Sequence, residues 1–207
     1  MSPKVADASV RSTLVETAAA LLAAEGPAAL TLRRLAGEVG TSTMAIYTHF
    51  GGMDELRREI RREGFRRLGE QLDAAERTDD PLADLAALGW AYYASATASP
   101  NLYRAMFLEG PVDDADLETG LETFERLVAG VQRCIDAGRF ADADATDLAT
   151  QLWALEHGVV SLQLAHLLAP EQAVASLRSI GVNLLRAYRA DRDAGDSEGD
   201  SGADPGA

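Results

Sequence analysis

The sequence has very little cysteine, since only Cys134 occurs among its 207 residues. A single cysteine excludes a disulfide within the chain and favours a reducing compartment. No uninterrupted apolar stretch reaches the roughly 20 residues that a membrane-spanning helix needs. The N-terminal residues also lack the basic start and apolar stretch of a signal peptide. We therefore expect a cytoplasmic protein that has no membrane partner.

Excess positive charge is missing too, because 19 Lys and Arg stand against 33 Asp and Glu and the formal net charge is −14. Taken alone, this balance argues against nucleic acid as a partner. The charge is unevenly distributed, however: residues 1–70 carry a net charge of +1 and residues 71–207 carry −15. An acidic body can therefore coexist with a neutral to slightly basic N-terminal face, and composition leaves DNA binding open.

The patterns that carry enzymatic chemistry are missing as well. His49, His157 and His166 lack the spacing to Cys, Asp or Glu that suggests a metal site. Cys134 lies on a predicted helix with Val131 and Ile135, which favours a packed small side chain over a nucleophile. We find no glycine-rich phosphate loop and no serine nucleophile elbow. We therefore predict no catalytic residue, no metal and no cofactor, and an all-α enzyme is only a distant alternative.

Apolar residues recur at helical spacing nearly everywhere, which predicts an all-α fold. Ser9 is a candidate N-cap of the first helix, Gly26-Pro27 ends that helix, and Thr31 can cap the second. The predicted helices span residues 9–25, 32–39, 43–49, 53–76, 82–98, 101–108, 115–136, 145–168 and 171–189.

These helices divide into a small head and a larger body. We place a three-helix head with a helix-turn-helix at residues 8–68 and a helical body at residues 80–190. Residues 191–207 are dominated by Asp, Gly and Ser and contain no large apolar residue. Such a segment cannot bury enough surface to become ordered, so we expect a disordered acidic tail there.

The most informative segment is ALTLRRLAGEVGTSTMAIYTHF, residues 29–50. Two short helices joined by a three-residue turn that contains Gly40 have the proportions of a helix-turn-helix. The second helix is too short to be stable alone, but its small residues would let it approach DNA bases closely in a major groove.

At this point the sequence resembles the tetracycline-repressor (TetR) family of bacterial transcriptional regulators. The Tyr-x-His-Phe ending at residues 47–50 is the strongest single element of the resemblance. The resemblance implies a homodimer whose two recognition helices enter successive major grooves of a near-palindromic operator. It also implies a C-terminal domain that binds a small effector and carries the dimer interface. The matching residues are Glu25-Gly26, Ala29-Leu30-Thr31, Leu35-Ala36, Gly40, Ile46-Tyr47, His49-Phe50 and Leu56.

The resemblance also indicates which residues contact DNA. It implies phosphate contacts for Tyr47 and His49, while Arg33 matches a position that can reach a base edge, where its fork suits guanine. The alternatives are a core aromatic for Tyr47, a surface role for His49, and plain solvent exposure for Arg33 and Arg34. The full set of predicted DNA contacts is Thr31, Arg33, Thr41, Ser42, Thr43, Met44, Tyr47, Thr48 and His49.

One departure from the family concerns Met53, where relatives often have a lysine that would contact phosphate. An arginine cluster on the same helix could compensate for the lost cation. Interleaved Glu55, Glu59 and Glu63 favour instead a salt-bridged, solvent-exposed face. The cluster comprises Arg57, Arg58, Arg61, Arg62, Arg66 and Arg67.

In the body, Trp153 and His157 lie four residues apart on one helical face, followed by Gly158. This pattern looks like the Trp…His-Gly motif of one C-terminal subclass of the same family. Together with other aromatic residues it predicts a largely apolar, ring-containing effector, with His157 as a hydrogen-bond partner. Simple core packing is the alternative for the same residues. The predicted ligand contacts are Trp90, Tyr93, Phe107, Phe124, Trp153 and His157.

The helices at 145–168 and 171–189 carry apolar stripes wider than one inward face needs. By resemblance, they pair with their symmetry mates in a four-helix bundle. The sequence thus predicts a DNA-binding regulator, more precisely a repressor that a small effector releases from its operator. The alternative is a helical ligand-binding or interaction protein that does not bind DNA. The stripe on the first helix is Leu148, Leu152, Leu155, Val159 and Leu162.

Overall fold

A computed structural model describes residues 3–108, 114–140 and 144–188, with side chains described for residues 9–108, 118–140 and 144–188. These residues form nine α helices, which confirms the predicted all-α fold. The predicted tail at 191–207 lies outside the described residues. In chain order the helices are α1 (Pro3–Glu25), α2 (Leu32–Val39), α3 (Thr43–Phe50), α4 (Met53–Asp73), α5 (Pro81–Ala98), α6 (Pro100–Phe107), α7 (Asp114–Asp136), α8 (Ala145–Leu164) and α9 (Pro170–Ala187).

Three of the predicted helix limits differ from the observed ones by three residues or more. Helix α4 ends at Asp73 rather than at residue 76. Helix α1 begins at Pro3, so Ser9 is not its N-cap; Ser9 lies inside the helix, where its carbonyl oxygen accepts a hydrogen bond from Thr13. Helix α8 ends at Leu164 rather than at residue 168. The chain turns there because His166 takes a positive φ of 59° and the amide of Leu167 donates back to the carbonyl of Leu162.

The head packs α1, α2, α3 and the first part of α4 around one apolar centre. The spacing of apolar residues on each helix accounts for this packing, because the inward positions carry apolar side chains. The largest fully buried residues at this centre are Leu14, Leu35, Ile46, Leu56 and Ile60. Replacing any one of them with Ala would leave a cavity and cost about 2–5 kcal/mol.

Helix α4 extends this apolar centre from the head into the body. Its residues Phe65 and Leu68 belong to the same buried cluster as Tyr103 and Met106 of α6. Gly64 permits the close approach, because a Cβ at this position would lie 2.7 Å from the Cγ and Sδ atoms of Met106. One continuous core therefore crosses the limit that we placed between residues 68 and 80.

A second apolar cluster joins α5, α7 and α8 in the far part of the body. Cys134 is fully buried in it and donates a hydrogen bond from Sγ to the carbonyl of Pro81 at 3.2 Å. Burial raises the pKa of this thiol to about 11, so the residue acts as a packed side chain.

None of the described helices is long and apolar enough to cross a membrane. Within the same residues no three His, Cys, Asp or Glu side chains group as metal ligands.

Candidate nucleic-acid interface and effector cavity

The turn between α2 and α3 is built by Gly40 and by two side-chain caps. Gly40 adopts the left-handed conformation (φ 72°, ψ 32°), which glycine takes at little cost. Its neighbour Thr41 donates its amide to the carbonyl of Ala36 at 2.9 Å. The hydroxyl of Ser42 then accepts the amide of Ala45 at 3.1 Å and starts α3. These contacts hold the two helices in a helix-turn-helix.

The exposed side of α3 presents several of the predicted DNA contacts to solvent. Met44 is 70% exposed and Tyr47 is 50% exposed, so Tyr47 is not a core aromatic. Thr43 and Thr48 are exposed beside them. Because Ile46 and Phe50 fix the opposite face in the core of the head, this exposed face is rigidly presented.

The other predicted DNA contacts surround this face. Thr31 is exposed, and its hydroxyl caps α2 by accepting the amide of Arg34 at 3.2 Å. Thr41 and His49 are half-buried, and the His49 ring lies 6.1 Å from the ring of Phe50. All nine residues therefore lie on or next to the two helices of the motif.

The two neighbouring arginines of α2 differ in their surroundings. Arg34 forms a two-pronged ion pair with Glu25 at 2.8 Å and a longer one with Glu38 at 3.6 Å. Arg33 is exposed and makes no ion pair within the residues that the structure describes. Of the two guanidinium groups, that of Arg33 is the one available to a base edge.

Helix α4 starts with Met53, whose half-buried side chain packs against the core of the head. Along the rest of α4, arginines pair with glutamates three or four residues away, as between Arg62 and Glu59 at 2.6 Å. This confirms the salt-bridged face predicted from the interleaved charges. Arg61 is the exception in the predicted cluster, because its side chain is buried rather than on that face.

A cavity of about 440 Å³ lies between α4, α5, α6, α7 and α8. Its wall is mainly apolar and aromatic, as expected for a small-molecule site. Helix α4 contributes one side of the wall through Arg61, Phe65, Leu68 and Leu72. The other lining residues are Leu88, Tyr92, Met106, Phe107, Gly120, Leu121, Thr123, Phe124, Leu127, Thr150, Trp153 and Glu156.

The structure brings four of the six predicted ligand residues together. Phe107, Phe124 and Trp153 line the cavity, and His157 packs against two of them, with its ring 5.1 Å from Phe107 and 5.5 Å from Trp153. Phe124 and Trp153 lie 6.1 Å apart between ring centres. These aromatic residues form one continuous wall.

Trp90 and Tyr93, the other two predicted ligand residues, do not line this cavity. Trp90 is 37% exposed, and the guanidinium carbon of Arg178 lies over its ring, 5.6 Å from the ring centre. Tyr93 packs edge-on against Trp90 and donates its hydroxyl proton to Gln163 at 2.8 Å. The helical spacing identified both as aromatic positions but could not show that they lie away from the cavity.

His157 is tied to two tyrosines rather than exposed to the cavity. Its Nδ1 lies 2.8 Å from the hydroxyl of Tyr103 and 3.1 Å from that of Tyr92. Burial lowers the pKa of His157 and raises the pKa of each tyrosine, so all three are neutral at pH 7. The hydrogen bond between Nδ1 and the Tyr103 hydroxyl orients the imidazole, whose ring lies 5.5 Å from that of Trp153.

The sequence reasoning missed both charged residues in the cavity wall. Glu156 was not among the predicted ligand residues, but it lines the cavity, and burial raises its pKa to about 7. The sequence did contain a signal for this position, because Glu156 follows Trp153 by three residues and therefore lies on the same face of the helix. Arg61 lies on the face of Phe65 and Leu68, and donates from Nε to the carbonyl of Ala105 at 3.1 Å.

The predicted dimer helices divide their apolar residues between two faces. Leu148, Leu152 and Val159 are buried within the chain itself and offer little surface to a partner. Leu162 is 43% exposed on α8, and Ile180 of α9 is 44% exposed. Large apolar residues that remain in solvent on neighbouring helices are typical of a surface that another protein covers.

Two families of known proteins match the two parts of this chain. Residues 14–60 match the family model described as "Bacterial regulatory proteins, tetR family". Residues 85–185 match the one described as "Tetracyclin repressor-like, C-terminal domain". The HTH-type transcriptional repressor DrrR1 of Streptomyces coeruleorubidus is 37% identical over 93 residues, which is 44% of this chain and only 30% of that protein.

Solved structures share the fold over nearly the whole chain. A protein of unknown function from Rhodococcus sp. RHA1 is 26% identical, with a TM-score of 0.75 over 87% of this chain and 96% of that one. A TetR transcription regulator from Haloarcula marismortui shares the fold at 22% identity, with a TM-score of 0.71 over 88% of this chain and 100% of that one. The two family matches together cover most of the sequence, and the chain belongs to the TetR family of bacterial DNA-binding transcriptional regulators.

Proposed function

We propose that this protein is a homodimeric repressor that binds a near-palindromic operator and is released by a small molecule in the cavity between α4 and α8. The proposal rests mainly on the position of helix α4 between the head and the cavity. Only two residues separate this helix from the end of α3, and it continues into the wall of the cavity, which Phe65, Leu68 and Leu72 line. A ligand that displaces this wall therefore moves the helix that supports the helix-turn-helix.

The proposed release depends on two conformations of the dimer. The two heads must present α3 to successive major grooves, whose centres lie about 34–36 Å apart on one side of the duplex. A ligand shifts the dimer away from this spacing only if it binds the DNA-incompetent conformation more tightly. Because α4 also packs on α6 and α7, a change in the cavity reaches the head through packed side chains.

Fluorescence anisotropy with labelled DNA from upstream of the protein's own gene tests operator binding. We expect saturable binding by wild type that weakens as salt is raised. Tyr47→Phe should weaken binding to all sequences by similar factors, because a phosphate contact carries no sequence information. Failure of wild type to bind any DNA from its genomic neighbourhood at low salt would favour the alternative, a ligand-binding protein that does not act on DNA.

Light scattering tests the dimer. We propose that α8 and α9 form the interface, on the strength of the exposed Leu162 and Ile180. A charge placed at the centre of an apolar interface is costly to bury, so Ile180→Glu should yield monomers. Leu108→Glu is the matched control, because Leu108 is 55% exposed but lies outside α8 and α9. If both variants remain dimeric, the interface lies elsewhere.

A further inference from the structure

The carboxylate of Glu156 has an unusual position in the cavity wall. It makes no hydrogen bond and no ion pair with any part of the chain that the structure describes. Its Oε1 atom rests against Gly89 of α5, where a Cβ atom would overlap it. The absence of a side chain at residue 89 thus makes room for the acidic group between α5 and α8.

The groups that face Glu156 do not neutralise it. Tyr92 of α5 and the neighbouring His157 are neutral and hydrogen-bonded to each other. Arg61 lines the α4 side of the same cavity, but it forms no ion pair with Glu156 and donates its Nε to the carbonyl of Ala105. A half-buried carboxylate without a cation carries a desolvation cost, and a ligand that supplies the cation offsets it.

The rest of the wall suits an organic cation. Trp153, Tyr92 and Phe124 line the cavity together with Glu156. The faces of aromatic rings attract cations, tryptophan most strongly. A hydrogen bond between an ammonium group and a carboxylate is about twice as strong as a neutral one. A neutral molecule would leave the Glu156 carboxylate without its charge partner.

We infer that the effector is an apolar, ring-containing amine whose ammonium group pairs with Glu156 while its rings lie against Trp153 and Phe124. This inference rests on the proposed function for the use of the cavity, and adds the chemical class of the ligand. It differs from the sequence prediction, which gave the polar contact to His157.

Isothermal titration calorimetry without DNA tests the ligand class independently of operator binding. The probes are 2-naphthylmethylamine, 2-naphthylmethanol and 2-naphthoate, which share one ring system and differ in charge. At pH 8, where a carboxyl with a pKa of about 7 is mostly ionised, wild type should bind the amine about tenfold or more tightly than the alcohol. The carboxylate probe should bind most weakly.

Two variants and a control assign the effect to Glu156. Glu156→Gln keeps the shape of the side chain and should bring the amine and the alcohol to equal affinity. Gly89→Ala displaces the carboxylate and should also reduce the amine-to-alcohol ratio. Glu76→Gln removes one negative charge from an exposed residue outside the cavity and should leave the ratio unchanged. Circular dichroism checks that each variant is folded.

The inference is overturned if the alcohol or the carboxylate probe binds wild type as tightly as the amine. It is also overturned if the amine fails to bind at about 1 mM, or if Glu156→Gln keeps the full preference for the amine. A preference for the amine combined with no DNA binding would support the ligand class and reject the repressor function. DNA binding with no preference for the amine would do the reverse.

Discussion

The side chain of Asn101 donates a hydrogen bond from Nδ2 to the main-chain carbonyl of Ala23, 3.2 Å away. In an α helix this carbonyl would accept the amide of the fourth residue along, which is Pro27 and has no N–H. Asn101, at the start of α6, therefore supplies the donor that the end of α1 lacks. The contact joins the head to the body where α1 ends.

Replacing Asn101 should lower the stability of the whole protein. We expect Asn101→Ala to reduce the free energy of unfolding by about 1 kcal/mol, since one partly buried carbonyl loses its donor. Asn101→Asp should cost more, because it places a second acceptor opposite the Ala23 carbonyl. Urea titrations of the three proteins measure both effects. Equal stability of wild type and both variants would show that the hydrogen bond contributes nothing.

Arg33 and Arg34 are a matched pair of positions for a test of base recognition, because they are neighbours with different surroundings. Arg33→Ala should cost about 1–3 kcal/mol at one operator position and relax the base preference there. Arg34→Ala should change DNA affinity little, because its guanidinium is held by Glu25. Anisotropy titrations against the operator and its single-base variants measure both. Equal losses on every DNA for Arg33→Ala would remove that residue from base readout.

Met53 offers a test by gain of function. Met53→Lys can keep its aliphatic stem against the core of the head while its ammonium group reaches solvent. If that group contacts a phosphate, affinity should rise for all DNA sequences, and the slope of log affinity against log salt should steepen by about 1. Met53→Leu, which adds no charge, should behave as wild type. An unchanged salt slope in Met53→Lys would place residue 53 away from the DNA backbone.

Glu156 should make stability depend on pH in a defined way. Below about pH 4.5 the carboxyl is protonated in the folded and unfolded states, so it carries no penalty. Between pH 4.5 and about 7 the unfolded state releases the proton while the folded state retains it, and stability falls. Above about pH 7 the carboxyl is ionised in both states, and the stability does not fall further. Glu156→Gln should therefore be more stable than wild type by about 2–3 kcal/mol at pH 8 and about equal at pH 4.

Denaturant titrations at several pH values measure this difference. The other titrating groups are common to both proteins, so they cancel when wild type is subtracted from Glu156→Gln. Glu76→Gln, at an exposed position, should follow the wild-type curve at every pH. A difference between Glu156→Gln and wild type that does not change with pH would mean that burial does not disfavour the charged form of Glu156.

The helix-turn-helix could be predicted from sequence because local chemistry determines it. Thr31 caps α2, Gly40 takes the left-handed turn, and Ser42 caps α3; each of these roles depends only on neighbours in the chain. The separate behaviour of Arg33 and Arg34 was not predictable from the same segment. The partner that distinguishes them, Glu25, lies on another helix.

The cavity was less predictable because it depends on how five helices meet. Aromatic spacing indicated Phe107, Phe124 and Trp153 as ligand contacts, and all three line the cavity. The same reasoning cannot distinguish the inner side of α5 from its outer side, which is where Trp90 lies. It also treats every acidic residue as solvated, and so it passed over Glu156.

The apolar core that extends along α4 from the head into the body influences how the protein unfolds. Separation of the head would expose Phe65 and Leu68 of α4 together with Met106 of α6, all of which are buried in that core. Exposing several large side chains costs about 1.5–3 kcal/mol for each. Melting of the helix-turn-helix is therefore coupled to melting of the cavity. The heads and the ligand site should be lost in one cooperative transition, and a ligand bound in the body should protect amide protons in the head from exchange.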